Sequence, residues 1–305
     1  MSRSLKAHLL LVLATLVWGS TFVVVKAAFQ FASPLVFTAI RMTLATVILV
    51  LFFRKSIFQL TRPALLSGAV VGILLFLGYA FQSTGLKLTT PSKSAFLSSS
   101  SAVMVPLLLI MFWRTRSHPA RLTGIAAAFA GLFLMTVPAG KGAIADFAKV
   151  NAGDLLTITA AIAFAFQIIA VGRATRRFPF QQIVSIQIAV TALLMGVAVP
   201  FVERPHLQVS WTLVSAIVAC AALPTALAFG VQAWAQQFTP AAHTALIFML
   251  EPVFAWLTSL IVMNERLGLR SGAGALLILA GILLSQLLGG ASHLEPETAA
   301  RSAPG

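Results

Sequence analysis

The chain has 305 residues, 59% of them hydrophobic and only 9% charged, with a mean hydropathy of +0.97. Soluble domains carry roughly 25% charged residues, so this composition excludes a soluble globular protein and makes the bilayer the solvent. The net charge of +14 sits in short loops between apolar runs, where basic residues orient helices in a membrane and do not form a nucleic-acid surface. A single cysteine, Cys220, leaves neither an internal disulfide nor a cysteine metal cluster.

Apolar runs fall at roughly 7–25, 34–53, 64–85, 92–112, 120–138, 152–171, 181–201, 211–233, 240–262 and 269–288. A helix of ~20 residues crosses a hydrocarbon core of ~30 Å. Each run must be helical, because lipid offers no partner to a backbone N–H or C=O. The sequence therefore predicts an all-α integral membrane fold of ten transmembrane helices. Ser33-Pro34, Arg62-Pro63, Pro91, Pro119, Pro138, Pro179 and Pro240 stand where helices start or stop. The first run follows Ser2–Lys6 and reads as a signal anchor that is retained. Residues 1–6 read as a cytoplasmic N-terminus, 7–139 and 152–288 as two five-helix units, and 289–305 as a polar Ala/Pro-rich cytoplasmic tail predicted to be disordered.

Loop charge sets the orientation. With the N-terminus inside, the cytoplasmic segments hold Arg3, Lys6, Arg54, Lys55, Arg62, Arg114, Arg116, Arg121, Arg173, Arg176, Arg177 and Arg301, opposed only by Glu295 and Glu297. On the other side, Lys26, Lys87, Lys93, Lys141, Lys149, Arg204, Arg266 and Arg270 are diluted by Asp146, Asp154, Glu203 and Glu265. Both termini are expected to be cytoplasmic.

The two units repeat one another. Trp18-x-x-Thr21 aligns with Phe164-x-x-Gln167 and Pro34 with Pro179 at an offset of 145–146. Tyr79-x-x-Gln82 aligns with Phe229-x-x-Gln232, Gly124 with Gly274 and Gly131 with Gly281 at 150, and Thr90-Pro91 with Thr239-Pro240 at 149. Five spans is an odd number, so the second unit is expected to enter the membrane upside down, as in transporters built from inverted repeats.

The run EPVFAWLTSLIVMNERLGLRSGAGALLILAGILL from Glu251 and the first-span segment Leu16–Phe29, LVWGSTFVVVKAAF, resemble the EamA-type drug/metabolite transporter superfamily. The resemblance extends from Ala7 to about Leu288 and is most specific at Glu251-Pro252, Asn264-Glu265-Arg266 and Gly274…Gly281. The first half departs from it: Ser101-Ala102 occupies the place of Glu251-Pro252, and the segment 114–121 replaces the Glu-Arg turn. The resemblance implies small-metabolite export, often of amino acids, across a bacterial inner membrane, with no cofactor.

Candidate site residues are the polar and aromatic ones inside apolar runs. Trp18 with Thr21, Tyr79 with Gln82, Phe164 with Gln167 and Phe229 with Gln232 each occupy one helical face at i, i+3. They read as core packing or as walls of a central cavity for a small amphipathic ligand. Ser94, Ser98 and Ser101 form a stripe that serves as interhelical glue or as cavity lining. Arg41 and Glu251 lie well inside their spans, as a structural ion pair or as coupling and substrate contacts. His243 is an interfacial histidine or a proton carrier. The small residues Gly124-x-x-x-Ala128, Ala127-x-x-x-Gly131 and Gly274…Gly281 suit close packing, within the chain or in a homodimer. The function expected is secondary transport by alternating access, with a small-molecule substrate and the lipid bilayer as partners. A membrane-embedded hydrolase or lipid-modifying transferase is the alternative, poorly served by Glu251 as the one clearly intramembrane carboxylate.

Overall fold

The computed structural model describes residues 2–86, 88–89, 91–114, 119–137, 149–263 and 269–289. The Glu265-Arg266 turn and the tail from 290 onward lie outside the described residues. Among the described residues every regular element is helical. In order these are α1 (Arg3–Ala28), α2 (Pro34–Phe52), the short α3 (Arg54–Ile57), α4 (Arg62–Leu86), α5 (Pro91–Ser99), α6 (Ser101–Trp113), α7 (Pro119–Thr136), α8 (Ala152–Arg177) and α9 (Phe180–Val202). Then α10 (Trp211–Cys220) runs through a π-helical turn, Ala221–Leu227, into α11 (Ala228–Ala235). The chain finishes with α12 (Ala241–Phe248), α13 (Glu251–Met263) and α14 (Leu269–Gly289).

Eight stretches are long and apolar enough to cross a membrane, whereas Leu122–Thr136 and Leu269–Ser285 are shorter apolar helices. The two short ones are the fifth runs of the two halves. Gly124 and Gly131 of one and Gly274 and Gly281 of the other are spent on contact between them.

The helix ends carry the chemistry that lipid withholds. Ser2 caps α1 by accepting from Leu5 N–H. Asn151 and Asp154 form a reciprocal capping box on α8, and the Thr89 hydroxyl donates to the same Asp154 carboxylate at 2.6 Å. Helix α2 has no side-chain cap of its own. Its Leu35 and Val36 N–H groups both donate to Glu203 Oε1 at 3.0 Å, from the end of α9. At the opposite end of the same helix pair, Gln182 Nε2 donates to the Ser56 and Gln59 carbonyls. The first half is thus sewn to the second at both ends of α2. Within the spans, threonine hydroxyls turn back onto their own helices, as Thr15 does to Leu11 O and Thr46 to Met42 O.

Equivalent helices pack against one another across the two halves. α2 lies along α9, with Phe53 against Phe180 at one end and Ala32 bridged to Leu207 at the other. α7 lies along α14 with backbones in contact. A Cβ placed on Gly124 would sit 2.5 Å from Gly281 O, and one on Gly131 would sit 2.5 Å from Gly274 O. Residue numbers rise on one helix as they fall on the other, so the pair is antiparallel. The small-residue face is consumed within the chain. Gly131→Val should therefore lower stability by about 1–3 kcal/mol, since backbone atoms cannot step aside. Gly196→Ala, where nothing lies within 4 Å, should leave the melting temperature unchanged or higher. Thermal unfolding of the two purified variants checks the contrast.

Candidate functional site

Two spans are interrupted at matching places. The fourth span breaks at Ser100, between α5 and α6, and the ninth at Met249–Leu250, between α12 and α13. At the second break Met249 N–H and Leu250 N–H reach back only three residues, to Leu246 O and Ile247 O, a tightened 3₁₀ turn that closes one helix before the next begins. The 150-residue offset carries Ser101 onto Glu251, so both halves restart a helix at the same point. α1 backs directly onto the second break: a Cβ on Gly19 would lie 2.7 Å from Glu251 O and 2.8 Å from Ala255 N. Glu251 opens α13, half-buried, at the helix end where a negative charge is favoured. Its carboxylate makes no hydrogen bond and no ion pair.

Aromatic residues gather around this break. Trp18 meets Phe248 edge-on at 4.9 Å and 82°, and Phe229 at 5.3 Å and 58°. Its indole N–H donates to Pro224 O at 2.7 Å. That acceptor exists because of the π turn. Pro224 has no N–H for Cys220 O, so the Thr225 hydroxyl takes its place at 2.7 Å. Ala228 N–H reaches past Pro224 to Leu223 O, which frees the Pro224 carbonyl for the tryptophan. In the other half Tyr79 meets Phe164 at 5.5 Å and 84°. Gly78 leaves room for this ring, since a Cβ there would come within 2.5 Å of Phe164 Cδ1. At the offsets read from the sequence, Trp18–Phe229 and Phe164–Tyr79 are one contact seen from the two halves.

Arg41 lies over Tyr79, its guanidinium carbon 5.2 Å from the ring centroid, and 5.8 Å from Phe37. It is 7% exposed and its buried Nε–H has no acceptor. The expected ion pair is not made. Arg41 reaches the Tyr79 phenol and lies against the Tyr79 and Phe37 rings, and it does not bridge to Glu251.

The glutamines divide. Gln167 and Gln232 do not stand on an open wall; they are 3% and 1% exposed and belong to a buried amide chain. Gln167 Nε2 donates to Gln187 Oε1 at 3.3 Å, and Gln232 Nε2 donates to Gln167 Oε1 at 3.4 Å and to Gln236 Oε1 at 3.2 Å. Gln236 Nε2 ends the chain on Ile168 O at 2.9 Å. The pairing is dictated by burial: an amide in an apolar interior takes another amide when no water is present. Gln82 is half-buried and its side chain makes no hydrogen bond. Thr21, the counterpart of Gln167, bonds only to its own helix at Val17 O and Trp18 O.

The remaining candidates lie apart from this group. His243 stands beside His8 with ring centroids 6.2 Å apart, about 12 Å along the helix direction from Glu251 at ~1.5 Å per residue. Ser98 is half-buried on α5, one turn from the buried Ser94. A laterally open groove of about 500 Å³ between α2 and α9 is lined by Thr43, Thr46, Val47, Ala192, Leu193 and Val197, and none of the candidates borders it. Sequence reading missed Phe248, Pro224, Gln187 and Gln236. Gln187 carried a signal, since it falls opposite Arg41 at the same 146 offset as Trp18 and Phe164.

Comparison with known proteins agrees with this architecture. Residues 5–137 and 151–287 each match the EamA-like transporter family. An uncharacterized transporter of Archaeoglobus fulgidus is 29% identical over 93% of this chain and 87% of its own length. The uncharacterized transporter YoaV of Bacillus subtilis is 22% identical over 92% of this chain and 96% of its own. A crystal structure with 19% identity superposes with a TM-score of 0.79, covering 93% of this chain and 98% of its own, which establishes a shared fold. Two copies of one domain, nearly filling a multi-pass helical membrane protein, place this chain in the EamA-like transporter family.

Proposed function

We propose that the protein is a secondary transporter that moves small metabolites, amino acids or related compounds, outward across the bacterial inner membrane by alternating access. In this reading the ten apolar runs all span the membrane, the two halves are inverted, and both termini are cytoplasmic. The observation that carries it is the pair of matching breaks, at Ser100 and at Met249–Leu250, flanked by equivalent aromatic contacts. A discontinuous helix at mid-depth is costly in lipid and is used where backbone and polar side chains must face a ligand. The half-buried Trp18, Tyr79, Gln82, Phe164, Phe248 and Glu251 supply aromatic walls with a few polar groups, the composition of a small-ligand site. Counterflow in proteoliposomes against amino acids, organic cations and sugars tests the substrate class. Exchange of sugars alone would refute it.

Two contrasts assign roles within the site. Gln82→Leu removes an amide that no protein group uses, so transport should fall while the melting temperature holds. Gln232→Leu strips a partner from Gln167 and Gln236 and should cost about 1–3 kcal/mol of stability. Calorimetry and counterflow on both variants separate the two. Glu251 acts in this reading as the proton-coupling carboxylate. Glu251→Gln keeps shape and hydrogen-bonding capacity, so exchange at equal pH should persist while accumulation driven by a pH gradient is lost. Equal loss of both activities would rule out the coupling role.

A further inference from the structure

The two halves treat the same polar triad in opposite ways. In the second half Gln167, Gln187 and Gln232 are bonded in series and at most 3% exposed, with Gln187 Nε2 and Gln232 Oε1 left over. At offsets of 146, 146 and 150 their first-half counterparts are Thr21, Arg41 and Gln82. Here nothing closes. Thr21 has turned to its own helix, and Gln82 has no hydrogen-bond partner. Arg41 reaches the Tyr79 phenol but has a buried Nε–H without an acceptor and no carboxylate in ion-pair distance.

A guanidinium removed from water without a counter-charge is among the least favourable arrangements a membrane interior can hold. Cation–π contact with Tyr79 and Phe37 compensates it only in part, and a planar fork of N–H donors is shaped for a carboxylate. We infer that this open triad is the subsite for the anionic end of the transported compound, a carboxylate received by the Arg41 guanidinium and the Gln82 amide against the Tyr79 ring. The inference rests on the carrier reading above and adds where the ligand's charge is held. The subsite lies in the first half alone, about two turns into α2 from the 29–33 connection. Its twin in the second half is structural.

The test uses three compounds with one apolar body: L-leucine, 4-methylpentanoate and L-leucinamide. Only the first two carry a carboxylate. They are titrated into the full-length protein in phosphatidylcholine nanodiscs, with tryptophan fluorescence and melting temperature as readouts. Both carboxylates should bind, and the amide at least tenfold more weakly. Arg41→Gln should erase that difference without lowering the melting temperature of the ligand-free protein, because it removes an uncompensated charge. Arg41→Lys, which keeps charge but loses the fork, should fall between. The proposal is overturned if amide and acid bind alike, if no carboxylate binds the wild type, or if Arg41→Gln retains the preference. It is also overturned if phosphatidylglycerol nanodiscs abolish the leucine response, which would assign the guanidinium to a lipid headgroup. Carboxylate binding lost in Arg41→Gln, without counterflow of any compound, would refute the carrier and leave the subsite standing. Counterflow confined to compounds without an anionic group would do the reverse.

Discussion

Lipid does not hydrogen-bond, and most of this structure follows from that. Every backbone amide must close within its own helix, and every side-chain hydroxyl or amide must find protein. The threonines return to carbonyls four residues earlier, the glutamines bond in series, and Glu203 crosses from one half to cap a helix of the other. Where the ladder fails at Pro224, Thr225 repairs one end and Trp18 the other. Arg41, Gln82 and Glu251 stand outside these networks. Gln82 and Glu251 make no side-chain hydrogen bond or ion pair, and Arg41 reaches the Tyr79 phenol but leaves its buried Nε–H without an acceptor.

The duplicated architecture explains how such a site can exist. Equivalent helices meet across the two halves, α2 with α9 and α7 with α14, so the scaffold is built from paired, antiparallel contacts whose geometry the repeat supplies twice. The interior then diverges. One half fills its polar positions with amides of similar length that reach each other, and the other places a cation there. On the reading proposed above, stability and recognition are divided between two copies of one design.

Much of the fold was legible in the sequence, and the reason is physical. Twenty-residue apolar runs, proline punctuation and basic loops are direct imprints of bilayer thickness and of the helix as the available spanning form. The landmark pairs Trp18/Phe164 and Tyr79/Phe229 were legible as a repeat, and the structure crosses them, with Trp18 on Phe229 and Tyr79 on Phe164. What stayed hidden depends on three-dimensional partners. The breaks at Ser100 and Met249–Leu250 leave little trace, because Ser and Met are ordinary helix residues. Glu203 read as a loop acid and proved to be a helix cap. Gln232 read as core packing or as a cavity wall and is a link in a buried amide chain, since a lone amide in an apolar run looks the same whether it faces a neighbour or a cavity. The Arg41–Glu251 pairing followed from depth alone, and depth says nothing about the aromatic rings that hold the guanidinium.

The π turn at Ala221–Leu227 has a geometric result of its own. One extra residue in a helix advances the angular phase of all that follows by about 100°. Phe229, Gln232 and Gln236 therefore present a face that a regular helix continuing from α10 would have turned aside. The bulge works as a fixed twist in the shaft. It lets the residues before Cys220 pack against one set of neighbours while those after Leu227 point at another. Deleting a single residue within it would rotate the amide chain and the Phe229–Trp18 contact out of register together.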